Sequence, residues 1–194
     1  MELQIFQNIE KHIDLSDEEK HVLKSLLVVK RVLKNELVQY QGDACSKIYF
    51  VESGSLYAFH QSDTGKQSTI MFAIKDWWIT DMDAFVNDVP AKVNIAALED
   101  SRIVKLSSAD LEDLYDKIPK FERFFRVLFQ NAYIREQQRA FCNITYSTQQ
   151  NYQRFLKNYP AISEKITQKQ IASYLGVTPE FLSSIKKSTG LKLS

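Results

Sequence analysis

Residues 167–187 read TQKQIASYLGVTPEFLSSIKK, and this stretch decides the fold of the C-terminal part of the chain. Thr167 and Gln170 have the spacing of a capping box, in which two side chains satisfy backbone N–H groups at the start of a helix. Gly176 can take the left-handed conformation that ends this helix, and Thr178-Pro179 supply an N-cap and a first-turn proline for the next one. The stretch therefore predicts two short helices joined by a tight turn, a helix-turn-helix.

The two predicted helices have distinct apolar and polar faces. The positions expected to be buried are Ile171, Ala172, Leu175, Val177, Phe181, Leu182 and Ile185. A polar helix presented by a small domain fits the major groove of DNA, although a helical hairpin that serves only for packing is the alternative. The residues expected to contact DNA are Lys169, Gln170, Thr178, Glu180, Ser183, Ser184, Lys186 and Lys187, with Lys192 as a further phosphate contact.

The charge distribution agrees with a polyanionic partner at one end of the molecule. The net charge of the 194 residues is only +1. Residues 144–194 contain seven basic and two acidic residues, a net charge of +5, whereas residues 1–143 contain 18 basic and 22 acidic residues, a net charge of −4. A basic end on an acidic body favours nucleic acid as the partner of that end, although a solvated helical surface is also compatible with it.

Upstream of this region, short strand-like runs alternate with turn signals. One strand is expected over residues 31–40, a hairpin over 47–60 with its turn at 52–55, and further strands over 68–74, 93–98 and 102–106. Strands at this spacing indicate an antiparallel sandwich or barrel across about residues 30–107. The chain is 44% hydrophobic, which is enough to fill such a core, and no helix-length segments alternate with the strands as a parallel sheet would need.

A long helix is predicted between the strands and the helix-turn-helix, over residues 119–143. It would span well over 30 Å at about 1.5 Å per residue, more than a small sandwich can cover. Phe121, Phe125, Leu128 and Ala132 recur at helical spacing and predict a seam with a second copy of the chain. The alternative is a helix that lies along its own sheet. A shorter helix is expected to begin after the capping box of Ser16 and Glu19.

The whole chain resembles the Crp/Fnr family of bacterial transcription regulators. The resemblance rests on Gln41-Gly42-Asp43, on Tyr49-Phe50-Val51 with Gly54, and on residues 171–180, which look like those of regulators from Bacteroidetes-type bacteria. It implies an α+β fold with an N-terminal antiparallel β-roll of the cyclic-nucleotide-binding type (1–118), a long dimerisation helix (119–143) and a helix-turn-helix domain (144–194). It also implies a cytoplasmic homodimer that binds double-stranded DNA, with RNA polymerase as a further partner.

The sequence departs from this family in the phosphate cassette. Family members that bind cyclic AMP have Gly-Glu and later Arg-Ser, where this chain has Ile79-Thr80 and Ala91-Lys92. Burying a phosphate without a guanidinium fork is costly, and lysine supplies only a point charge. We therefore expect that cyclic AMP is not the effector. The candidate pocket for an unidentified small molecule consists of Trp78, Ile79, Thr80, Ala91 and Lys92.

A second departure concerns the recognition helix. Glu180 matches the family's acidic residue, but Ser184 stands where an arginine is expected, and losing a bidentate base contact costs about 1–3 kcal/mol of base discrimination. A small-molecule sensor that has lost sequence-specific DNA binding is therefore the alternative function. The sequence has only two cysteines, Cys45 and Cys142, and three histidines, so we expect no iron–sulfur, haem or other metal cofactor. It also has no recognisable set of catalytic residues, so we do not expect an enzyme.

Overall fold

The computed structural model describes residues 3–189, and Lys192 lies outside the described residues. Within this range no helix is both long and apolar enough to cross a membrane. The helices are α1 (Gln4–Glu10), α2 (Asp17–Leu26), α3 (Met82–Asn87), α4 (Ser108–Lys117), α5 (Lys120–Thr145), α6 (Thr148–Asn158), α7 (Pro160–Ser163), α8 (Gln168–Tyr174) and α9 (Pro179–Thr189). The capping box predicted at Ser16 and Glu19 is present at the start of α2.

The strands form two four-stranded antiparallel sheets, which make the predicted β-roll. They are β1 (Val28–Val32), β2 (Leu37–Gln39), β3 (Lys47–Ser53), β4 (Ser55–Gln61), β5 (Gln67–Ile74), β6 (Trp78–Ile79), β7 (Asn94–Ala97) and β8 (Ser101–Ser107). One sheet has the order β1-β8-β3-β6 and the other has the order β2-β7-β4-β5. The predicted fold class, α+β with an antiparallel β-roll, a long helix and a C-terminal helical domain, is confirmed.

Two details of the strand prediction were wrong. The runs on either side of residues 52–55 do not form a hairpin, because β3 and β4 belong to different sheets and the chain crosses between them at Gly54. Gly54 has a φ of +85°, and a Cβ there would lie 2.2 Å from the Ser101 hydroxyl, so only glycine fits. Residues 31–40 are not one strand either, because a turn with Asn35 at a φ of +67° separates β1 from β2.

The N-terminal half of α5 packs inside its own protomer, which corrects the predicted seam. Phe121 and Phe125 are buried in a cluster with α1, α4 and Trp78, and Leu128 packs partly buried against the same cluster. Ala132, the last residue of the predicted seam, is half-buried. Helical spacing correctly placed these side chains on one face, but at Phe121, Phe125 and Leu128 that face is covered by the chain's own β-roll and N-terminal helices.

The C-terminal half of α5 presents a different apolar face to solvent. Tyr133 is 68% exposed, Phe141 58% and Ile144 88%, although all three are large apolar or aromatic side chains. Tyr133 and Ile144 lie about three turns apart and therefore on the same line along the helix. This exposed stripe lies on the side of α5 away from Phe121 and Phe125.

Candidate nucleic-acid interface

The helix-turn-helix forms through the local signals that the sequence predicts. The side chain of Thr167 accepts a hydrogen bond from the Gln170 N–H, and Gln170 reaches back to the Thr167 N–H, which completes the capping box of α8. Gly176 has a φ of +71° in the turn, and the Thr178 hydroxyl accepts from the Phe181 N–H at 3.2 Å at the start of α9. These contacts fix the angle at which α9 leaves the turn.

The inner face of the motif is mostly as predicted. Ile171, Ala172, Leu182 and Ile185 are buried. Phe181 was expected in this core, but 51% of it is exposed. It precedes Leu182 by one position, which rotates it by about 100° around the helix, away from the α8 contact.

The outer face of α9 is polar and open to solvent. Glu180, Ser184 and Lys187 are exposed and follow one another at spacings of four and three residues, so they form one line along the helix. Of the other residues predicted to contact DNA, Lys169 and Thr178 are exposed, and Gln170, Ser183 and Lys186 are half-buried. The Ser184 hydroxyl donates to the Phe181 carbonyl at 2.8 Å. The exposed line therefore offers a carboxylate, a hydroxyl and an ammonium group.

The helix-turn-helix is docked on the β-roll through α8. The Ser173 hydroxyl accepts from the Thr69 N–H at 2.7 Å and donates to the Gln67 carbonyl at 3.0 Å. Both groups belong to β5, the outer strand of its sheet. An outer strand has backbone groups without strand partners, and here a side chain of the other domain satisfies two of them.

An aromatic cluster extends this contact. Phe72 of β5 is buried, and its ring centroid lies 5.3 Å from that of Tyr174 and 6.0 Å from that of Phe155. The side chain of Gln170 hydrogen-bonds to Tyr57 of β4, whose pKa is raised by burial. One of the residues predicted to contact DNA is therefore engaged by the β-roll in this arrangement.

An ion pair between Lys165 and Glu99 also joins the C-terminal region to the β-roll. The Lys165 ammonium lies 2.8 Å from one Glu99 carboxylate oxygen and 3.0 Å from the other. Burial alone would raise the pKa of the Glu99 carboxyl, but hydrogen bonds from Lys165 and Ser55 outweigh it, and the pKa is lowered. Because folding lowers the pKa of Glu99, its ionised carboxylate stabilises the folded protein fully at pH values above 4.5, its ordinary pKa. This stabilisation is lost as the pH falls through the lowered pKa.

The residues of the candidate effector pocket are largely occupied by contacts within the fold. Trp78 is buried and its indole N–H donates to Asn8 at 3.1 Å, Ile79 pairs with Tyr49 of β3, and the Thr80 hydroxyl donates to the Lys47 carbonyl at 2.8 Å. Ala91 is buried against Cys45 and Ala84. Of the five pocket residues, only Lys92 has an exposed side chain, with 70% of it accessible.

The charged side chains next to these residues bond to groups within the fold. The Asp81 carboxylate accepts from the Lys92 N–H at 2.7 Å and from the Ala84 N–H at 3.4 Å at the start of α3. The Lys92 ammonium lies 2.5 Å from the Asp83 carboxylate, and its hydrogen bond holds the pKa of that carboxyl below its ordinary value. Within residues 3–189, no group of three or more His, Cys, Asp or Glu side chains could hold a metal ion.

Comparison with known proteins assigns these elements to a family. Residues 29–117, the β-roll and α4, match the cyclic nucleotide-binding domain. The chain is 27% identical over 184 residues to the regulatory protein HlyX of Actinobacillus pleuropneumoniae, a match that covers 88% of this chain and 75% of HlyX. Over most of its length the chain is therefore similar to regulators of the Crp/Fnr type.

Solved Crp/Fnr structures share the fold. A transcriptional regulator of the Crp/Fnr family from Eubacterium rectale superposes with a TM-score of 0.73 at 19% identity, over 93% of this chain and 88% of the other. The c-di-GMP-responsive global regulator CLP of Xanthomonas campestris superposes with a TM-score of 0.72 at 14% identity, over 90% and 92%. The predicted resemblance to the Crp/Fnr family is confirmed, whereas the Bacteroidetes-type assignment stays a prediction.

The sequence patterns did not reveal one site of the structure. A cavity of about 310 Å³ lies between α5, the C-terminal helices and Trp77 of the β-roll. Its lining includes Arg135, Arg139 and Arg154. Arg135 and Arg139 are four residues apart, so the sequence shows that they lie on one face of the helix. Trp77 and Arg154 come close to them only because the two domains are docked.

Proposed function

We propose that the chain is a homodimeric transcription regulator that acts in the cytoplasm and reads double-stranded DNA with α9. The observation that carries this proposal is the exposed line of Glu180, Ser184 and Lys187 on a C-terminal region of net charge +5. The docking to the β-roll uses α8 and leaves this line uncovered. A helix of this kind enters the major groove with its N-terminal residues at the base edges.

The residue types on this face suggest separate roles. The Glu180 carboxylate is an acceptor that suits the N4 amino group of cytosine, and Ser184 can donate to or accept from several bases. Lys187 and the exposed Lys169 would contact phosphates and make the affinity depend on salt. Because Ser184 replaces a bidentate arginine, discrimination at the base next to it would be weaker than in family members that carry arginine there.

A second copy fits the exposed stripe of α5. Tyr133, Phe141 and Ile144 expose large apolar surfaces on a helix whose opposite side is packed against its own protomer. Pairing two such helices around a two-fold axis buries both stripes and brings the two α9 helices to the same side of the dimer. Two half-sites about 34 Å apart, one turn of DNA, are then read together.

Cyclic AMP is not the effector in this proposal. The carboxylates of Asp81 and Asp83 lie at the start of α3, and the Lys92 ammonium is already paired with Asp83. A cyclic phosphate placed there would meet negative charge without a guanidinium to neutralise it. Isothermal titration of the full chain is expected to show no cyclic AMP binding at micromolar concentrations, and a micromolar or tighter dissociation constant would contradict this.

The proposed function is tested by selection from a pool of random DNA duplexes. The full chain is expected to enrich an inverted repeat whose half-sites are about one helical turn apart. Binding without any enriched sequence would instead favour the alternative function, a small-molecule sensor that no longer recognises specific DNA. Self-association measured by light scattering on the same preparation shows whether the binding species is a dimer.

A further inference from the structure

The cavity between the domains has no role in the DNA-binding proposal. It lies where three parts of the molecule meet: α5, the C-terminal helices α6 and α8, and the β-roll at Trp77. Its volume of about 310 Å³ is at the lower end of the range for small-molecule sites. None of the five residues of the candidate effector pocket lines it, so the two sites are separate.

The lining of this cavity carries an excess of positive charge. It contains three arginines and no acidic residue. Arg139 is partly compensated, because it bonds to Glu136 at 3.3 Å and to the Ile70 carbonyl. Arg135 and Arg154, by contrast, have no carboxylate within salt-bridge distance among residues 3–189.

Both of these arginines are held by aromatic rings. The Arg135 guanidinium lies 4.6 Å from the centre of the Trp77 ring, and the Arg154 guanidinium lies 5.2 Å from that of Tyr146. Stacking on a ring orients a guanidinium plane and leaves its N–H groups able to form paired hydrogen bonds with an oxyanion. Carboxylate and phosphate groups match this geometry.

The rest of the lining suits a flat ring. The Trp77 and Tyr159 rings lie 6.0 Å apart and the Tyr159 and Tyr174 rings 6.3 Å apart, so they form a continuous aromatic wall. The Tyr174 hydroxyl is protonated at neutral pH, because its ordinary pKa of 10.0 is raised further by burial. Side-chain amides complete the lining and offer donors and acceptors to polar edges of a ring: Gln138, Asn143, Asn151 and Asn158.

We propose that this cavity binds a small organic anion that combines a flat ring with a phosphate or carboxylate group. Arg135 and Arg154 hold the anionic group, and the aromatic wall holds the ring. Because the walls belong to α5, the C-terminal domain and the β-roll, the ligand binds the docked arrangement better than an undocked one and stabilises it. Any consequence of this stabilisation for DNA binding rests on the proposed function, whereas binding of the anion does not.

The test is isothermal titration of the full chain, without DNA, using 1-naphthyl phosphate and 1-naphthoate as probes. One molecule per protomer is expected to bind, and the R135Q and R154Q variants are expected to weaken binding at least about tenfold each, the loss of a charge-assisted hydrogen bond. R123Q is the matched control, because Arg123 is an exposed arginine of α5 outside the cavity lining. Thermal melts establish that the variants are folded.

Neutral 1-naphthol has the ring without the anionic group, and inorganic phosphate has the anionic group without the ring. The two compounds therefore test whether the cavity needs both groups. Each is expected to bind at least about tenfold more weakly than the better of the two probes. Binding of only one probe would support the proposal and identify the anionic group. The proposal is overturned if neither probe binds, if 1-naphthol or inorganic phosphate binds as tightly as the probes, or if R135Q and R154Q bind like R123Q. Because DNA is absent, none of these results depends on the proposed DNA-binding function.

Discussion

Replacing Ile144 by glutamate is expected to convert the proposed dimer into a monomer and to weaken binding to the selected inverted repeat about 100-fold or more. Ile144 is 88% exposed in the protomer, so the substitution costs little within one chain. In the paired α5 helices it would remove two buried isoleucines, each worth about 1.5–3 kcal/mol, and bring two carboxylates close together. Light scattering and fluorescence anisotropy measure the two effects.

The control for this substitution is Asn131→Glu. Asn131 is also exposed on α5, but it lies outside the apolar stripe of Tyr133, Phe141 and Ile144. N131E adds the same charge to the same helix and is expected to remain dimeric. A dimer that survives I144E unchanged would show that the stripe is not the contact between copies.

Replacing Phe72 by alanine is expected to lower the free energy of unfolding by about 3–5 kcal/mol and to release the C-terminal domain from the β-roll. Phe72 is buried between the two domains, where its ring contacts Phe155 and Tyr174. The cavity left behind removes packing from both sides of the contact. Urea unfolding measures the loss, and hydrogen exchange is expected to accelerate in α6 and α8.

Ile70→Ala provides the comparison for Phe72. Ile70 lies on the same strand, but 40% of it is exposed. Truncating a half-exposed side chain costs less than truncating a buried one. We therefore expect I70A to lower the free energy of unfolding by about 2 kcal/mol less than F72A, or by a still smaller amount. If F72A unfolds like I70A, or if exchange in α6 and α8 is unchanged, the aromatic cluster does not hold the domains together.

The parts of the fold that the sequence predicted correctly are those with local causes. The capping boxes at Ser16 and Thr167 and the left-handed Gly176 each depend on residues within a few positions of one another. Their geometry is therefore largely set by neighbouring residues in the chain. The helix-turn-helix was predictable for this reason.

The prediction was wrong where the deciding contact lies far away along the chain. The spacing of Phe121 and Phe125 shows that they share a helix face, but not whether that face meets a second copy or the chain's own α1 and α4. Gly54 looked like a hairpin turn because its role, close approach to Ser101, depends on a strand 47 positions later. Periodicity reports which side chains are neighbours and leaves open what covers them.

The same limit applies to the sites. The exposure of Glu180, Ser184 and Lys187 on α9 was predictable, because a short helix exposes one face and buries the other, whereas their contact with DNA stays a prediction. The exposure of Phe181 was not, because Phe181 lies about 100° around the helix from Leu182, and only the packed structure shows which of the two faces α8. The cavity between the domains was missed, since Trp77, Arg135 and Arg154 come from three elements that meet only when the C-terminal domain is docked.

The central claim is that two copies of α9 read DNA together, and the most direct test repeats the duplex selection with Glu180→Ala. Glu180 is exposed at the start of α9, so the variant should fold and dimerise like the unaltered chain. We predict that it still enriches an inverted repeat. The base preference is relaxed at one position in each half-site, and these two positions are related by the two-fold symmetry of the repeat. An unchanged sequence preference, or a change in one half-site alone, would contradict the claim.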